Sequence, residues 1–140
     1  MTYATQQDLV DRFGGQEIAQ LTDRTNGTVI DATVVARALG DADAEIDGYL
    51  ATRYVLPLTI TPAVLVRLAA DIARYRLFDD RTTEAVRQRY ADAVQLLKSM
   101  ASGLVKLDAG VTPLTVDSAA IPVLARSRQR TFSDALLDKY

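Results

Sequence analysis

The chain has 140 residues, the length of one ordinary domain, enough to bury a core without disulfide or metal staples. It contains no His, no Cys and no Trp, which removes imidazole bases, thiolate nucleophiles, zinc-finger patterns and redox pairs, so neither an enzyme nor a cofactor is expected. Sixteen Lys and Arg against eighteen Asp and Glu leave a net charge of −2, so no overall positive field draws nucleic acid or an acidic membrane surface.

No apolar run reaches the roughly 18 residues of a membrane helix. Residues Met1 to Gln7 lack the basic flank and apolar stretch of a secretory signal. The chain is therefore expected to stay where it is made, away from membranes. The absence of Cys is compatible with a reducing cytosol.

In chain order, Thr5 is placed to cap a helix over residues 6–13, Gly14-Gly15 ends it, and residues 16–21 restart it with Ile18 and Leu21 inward. Thr25-Asn26-Gly27-Thr28 reads as a turn. From Asp31 a strong helical period (Val35, Leu39, Ala42, Ile46, Tyr49, Leu50) predicts the longest helix, over 31–55, capped by Asp31 and closed by Leu56-Pro57. Gly40 inside it predicts a kink or a closely packed neighbour. Thr61-Pro62 predicts the next helix, with Thr as cap and Pro at its first position. Its buried stripe is Leu65, Leu68, Ala69, Ile72 and Tyr75, with Arg67 and Asp71 paired on a wet face. After a connector at 79–83, Thr83 opens a helix to about Ser102, with Val86, Tyr90, Ala93, Val94, Leu97 and Ala101 inward and Gly103 as its stop.

Residues 103–140 differ. They hold Pro113 and Pro122 and show no long helical stripe before a short candidate at 133–139. The apolar side chains there return too little on burial to offset the entropy of ordering the segment alone, which predicts an extended or loosely docked arm that orders on a partner.

Four acids alternate in Asp41-Ala42-Asp43-Ala44-Glu45-Ile46-Asp47. An EF-hand loop needs Gly and Glu where Ile46 and Thr52 stand, so the run reads as a solvated helix face, or else a face toward a partner or a polyanion channel. Arg126, Arg128 and Arg130 alternate too, which on an extended chain places all three on one side, suited to phosphates or a partner's carboxylates, or simply to water. Gly14-Gly15 lacks any phosphate-loop pattern and reads as a helix boundary. Tyr49, Tyr54, Tyr75 and Tyr90 read as core packing with hydroxyls reaching the surface.

Tyr3-Ala4-Thr5-Gln6-Gln7-Asp8-Leu9, Arg12-Phe13-Gly14 and Glu17 to Arg24 resemble the opening of a tailed-bacteriophage family typified by Mu-like phages and prophages. Ala44 to Tyr54 with Leu56-Pro57-Leu58 resembles its central signature. Ala69 to Tyr75, Tyr90-Ala91-Asp92-Ala93 and Leu97 to Gly103 extend the likeness, and Arg130-Thr131-Phe132-Ser133 with Leu137 and Tyr140 is similar to its close. The chain departs from that close at Asp134-Ala135, where the family has an Arg-Asp pair. The family is similar to small helical head-tail connectors, also called head completion or adaptor proteins.

The resemblance implies an all-α fold: a small bundle of four or five helices over 1–103 with an extended C-terminal arm over 104–140. It implies a structural virion protein, a ring of probable dodecameric size under the portal that joins capsid to tail, made in the host bacterial cytoplasm and carried at the head-tail interface. The implied partners are the portal protein, neighbouring copies, and the next connector or tail-completion protein. DNA would pass through the ring without sequence-specific binding. Arg126, Arg128, Arg130, Phe132 and Tyr140 are the candidate portal contacts. The alternative is a small helical binding or regulatory module that associates with nucleic acid through its Arg-rich tail.

Overall fold

Among the described residues, the helices that follow Thr5, Asp31 and Thr83 begin where those short polar side chains accept from free backbone N–H groups, and Gly14 and Gly103 end two of them. In a computed structural model, which describes residues 1–107 and 111–114, the elements are α1 (Gln6–Phe13), α2 (Gly15–Thr22), α3 (Ala32–Leu50), α4 (Ala63–Phe78), a 3₁₀ turn (Asp79–Arg81) and α5 (Glu84–Ser102). The described residues thus form an all-α bundle of five helices. Thr5 makes a capping box on α1: its hydroxyl accepts from the Asp8 N–H at 3.3 Å while the Asp8 carboxylate accepts from the Thr5 N–H at 2.7 Å. Asp31 accepts from the N–H groups of Thr33 and Val34, and Thr83 from that of Val86. Gly14, at φ 90°, both stops α1 and starts α2, which explains the glycine pair without any ligand.

α3, α4 and α5 pack into the main core, and α1 and α2 lie across α4. α4 is the most enclosed: Leu65, Leu68, Ala69, Ala70, Ile72, Ala73 and Leu77 are all buried. Its alanines lie where neighbouring helices press from more than one side, so the buried arc is wider than the single stripe the periodicity predicts. Tyr75, expected in that stripe, is only half-buried. On α5 the buried residues Val86, Ala93, Leu97 and Met100 follow a narrow seam, which makes Met100 the core residue and leaves Ala101 at the rim.

Three local expectations are corrected. α3 stops at Leu50, not near 55: residues 51–53 form a turn, Tyr54 leaves it to pair with Pro113, and the cis Leu56-Pro57 peptide follows. Pro62 is the extended N-cap of α4 (φ −60°, ψ 144°) and not its first helical residue, and no side chain caps that helix. No atom comes within 4 Å of the place a Cβ would occupy at Gly40, and α3 runs through it unbroken, so no neighbour requires that glycine.

Gly103 is required by its backbone conformation, and the Arg53 guanidinium lies close against it. It ends α5 in the left-handed region (φ 83°, ψ 8°), and a Cβ there would lie 2.5 Å from the Arg53 Cζ. Gly103→Ala is expected to lose on the order of 1–2 kcal/mol from the backbone alone, plus whatever is lost by displacing Arg53. Urea melts read by circular dichroism check this; a variant with an unchanged midpoint would contradict it.

Candidate functional site

The acidic run on α3 is not a solvated face. Only Asp41 is exposed. Asp43 accepts from the Tyr3 N–H at 3.0 Å, and Asp47 accepts a short hydrogen bond from the Tyr3 hydroxyl, so both hold the segment that precedes α1. Tyr3 and Ala4 are buried as a result. Glu45, on the next face, accepts from Arg76 of α4 at 3.1 Å and from the Tyr90 hydroxyl of α5 at 2.8 Å. Tyr90 also stacks on Tyr75, with ring centroids 4.0 Å apart and planes 7° from parallel. The partners lie 31 to 45 residues away in sequence, so no local spacing reveals them.

Titration follows from this burial. Burial, then the bond to Glu45, pushes the Tyr90 phenol up to about 12. Burial and the Asp47 carboxylate raise that of Tyr3 further. The Asp43 carboxyl is raised because loss of solvent outweighs the N–H it accepts. Arg76 is raised by its bond to Glu45. In the α2–α3 loop Asp23 is lowered by backbone N–H groups, that of Asn26 foremost, with those of Thr25 and Thr28 also within reach.

The residues just after α3 fix the start of the C-terminal segment. The Arg53 guanidinium donates to the carbonyls of Ala101 and Ser102 at 2.9 and 2.8 Å, which satisfies the open end of α5 with a cation where the helix dipole favours one. The buried Tyr54 hydroxyl accepts from the Leu107 N–H at 3.0 Å. Tyr54 and Pro113 form an isolated antiparallel bridge, flanked by Leu114 N–H to Arg53 carbonyl at 2.7 Å and Val55 N–H to Thr112 carbonyl at 3.1 Å. Val111 joins the core, while Val55, Leu104 and Leu114 stay exposed beside this junction. The tyrosines therefore do pack inward, but the hydroxyls of Tyr3, Tyr54 and Tyr90 serve as internal ties and not as surface groups.

A second cluster surrounds α4. Arg74 pairs with Glu17 of α2 at 2.7 Å and lies 4.4 Å over the Phe13 ring, which clamps α1 and α2 to the core. Asp71 is not on a wet face paired to Arg67; its carboxylate is largely covered and its ion pair is to Arg89 of α5, at 3.8 Å. Burial raises it even though Arg89, Arg67, Arg12 and Arg74 all pull it down. Among the described residues no group of three or more His, Cys, Asp or Glu side chains could hold a metal ion, and no helix is long and apolar enough to cross a membrane. The candidate contact residues Arg126, Arg128, Arg130, Phe132 and Tyr140, and the short helix expected at 133–139, lie outside the described residues.

Tyr3, Glu17, Glu45, Asp47, Arg53, Tyr54, Arg74 and Tyr90, which tie the helices together, fall within the stretches that resemble the phage family. The family described as Bacteriophage Mu, Gp36 matches residues 3–124. The chain belongs to that family. The Mu-like prophage FluMu protein gp36 of Haemophilus influenzae is 39% identical over 116 residues, which cover 83% of this chain and 82% of the relative. Gene product J of Escherichia phage Mu is 40% identical over 119 residues, 84% of this chain and 83% of the relative. In this Mu Gp36 family member, the central signature residues Glu45, Asp47, Arg53 and Tyr54 are the ones that reach the N-terminal segment, α4, α5 and residues 107–114.

Asp43→Asn keeps an acceptor for the Tyr3 N–H and removes a charge that the fold disfavours. Because the folded pKa of Asp43 is raised, the wild type gains stability relative to its charged state as pH falls through that value, and loses that gain as pH rises above it. The variant is therefore expected to be at least as stable as the wild type at pH 7, with its advantage disappearing below the carboxylate range. Thermal melts across pH check this; a less stable variant at pH 7 with a pH-independent deficit would contradict it.

Proposed function

We propose that this Mu Gp36 family protein is a head-tail connector: a structural virion component that assembles as a dodecameric ring beneath the portal and joins the capsid to the tail. Its partners are the portal protein, neighbouring copies and the next connector or tail-completion protein. DNA passes through the ring without sequence-specific binding, and the chain catalyses no reaction. It acts at the head-tail interface of the virion after assembly in the bacterial cytoplasm. Arg126, Arg128, Arg130, Phe132 and Tyr140 make the portal contact.

The observation that carries this reading is the anchored departure of the C-terminal segment. Residues 111–114 are tied to 53–55 at one end of the bundle, with exposed Val55, Leu104 and Leu114 alongside. A fixed junction beside exposed apolar side chains, followed in sequence by Arg126, Arg128, Arg130 and Phe132, suits attachment to another chain. The resemblance of the ordered motifs to phage connector proteins, and the family membership itself, support the same reading.

Deleting residues 126–140 in a phage genome that encodes this chain is expected to leave full heads and free tails unjoined, seen by electron microscopy, while the truncated protein keeps the helical circular dichroism of the body. Joined particles at wild-type yield from a folded truncation would overturn the reading.

A further inference from the structure

Two faces of the bundle carry an excess of opposite charge, and each holds exposed charged side chains that form no ion pair among the described residues. The first is a pocket of about 460 Å³ between the end of α1 and the middles of α4 and α5, where Arg12, Arg67 and Arg89 stand around Asp71 with Asp92 nearby. Arg89 is paired to Asp71, but Arg12 and Arg67 form no ion pair among the described residues. The second is a groove of about 900 Å³ between the α2–α3 loop, α3 and the end of α4. It holds Asp23, Asp31, Asp41 and Asp79; of its arginines, Arg76 is committed to Glu45 and Arg24 to Asp79, which leaves Arg37. Asp41 is exposed and forms no ion pair among the described residues.

The two faces point away from each other. Arg67 lines the pocket and Arg76 the groove, nine positions apart on α4. At roughly 100° per residue, nine positions turn the helix by about two and a half revolutions, so the two side chains leave opposite sides. Different, complementary faces on opposite sides of one chain make a head-to-tail contact, which repeats into a ring or a filament.

We propose that neighbouring copies of this chain pack in that way, the arginine pocket of one receiving the acidic groove of the next; this rests on the ring reading above. A second copy fits better than a polyanion because both faces are mixed. A phosphate chain in the pocket would meet Asp71 and Asp92, whereas the groove offers Asp41 to Arg12 and Arg67, with Asp23, Asp31 and Asp79 held by their own loop, helix end and Arg24, together with a guanidinium, Arg37, for the pocket's own acids. The excess of arginine in the pocket and of carboxylate in the groove fixes which face meets which.

The test uses full-length chains expressed during phage assembly, with incorporation into purified particles measured by quantitative mass spectrometry. Arg12→Glu with Arg67→Glu, and separately Asp41→Lys, are each expected to cut incorporation by at least about tenfold, because each sets like charges against each other. All three substitutions in one chain reverse both faces and are expected to restore incorporation. The neutral pair Arg12→Gln with Arg67→Gln gives an intermediate loss and serves where the reversed chain fails to fold, which thermal melts decide. Reversed variants that incorporate like the wild type, or a triple variant that stays excluded while folded, would overturn the pairing and leave the connector reading standing. A wild-type chain absent from particles would overturn the connector reading itself.

Discussion

A half-buried carboxylate is tolerable only when donors replace the water it has lost, and that requirement shapes this molecule. Asp43, Glu45 and Asp47 stand on adjacent faces of one helix and are partly withdrawn from solvent. Asp43 and Asp47 share Tyr3, before α1, as their donor, and Glu45 takes Arg76 of α4 and Tyr90 of α5. The apolar residues between them, Ala42, Ile46 and Leu50, are fully enclosed. Hydrophobic packing supplies the bulk of the attraction among α3, α4 and α5, and the polar ties select the arrangement in which Asp43, Glu45 and Asp47 all meet donors.

The same segment continues past the helix end into the junction that launches the C-terminal residues. Arg53 closes the end of α5, Gly103 gives it room, and Tyr54 receives the backbone of Leu107 before pairing with Pro113. The helical body and residues 111–114 thus share one joint. For a protein whose proposed work is to hold two larger assemblies in register, a stiff origin for the attaching segment matters more than a pocket, since a loosely rooted arm would cost ordering entropy at each contact.

The helices were legible because their signals are local. Thr5, Asp31, Thr83, Gly14 and Gly103 act within one turn of themselves, and each marks a boundary that the structure keeps. The acidic run was misread for the opposite reason. Alternating acids on a helix look solvated unless one knows that Tyr3 and Tyr90 come to meet them across 40 or more residues. The early end of α3 has the same origin: Arg53 and Tyr54 leave the helical path for partners near residues 101–114. Arg53 lies inside the stretch the periodicity assigns to α3 and within the central signature, and its target at the end of α5 is out of local sight. The candidate contacts at 126–140 fall beyond the described residues, so their reading rests on sequence alone.

Native-state hydrogen exchange in increasing denaturant tests the central role of α3 most directly. If residues 43–54 bind the outlying pieces into one cooperative unit, the amides of Tyr3, Leu107 and Leu114 exchange only through the same global opening that exposes Ile46, with the same dependence on denaturant. Exchange of those three amides by local fraying, insensitive to denaturant while Ile46 stays protected, would contradict the account.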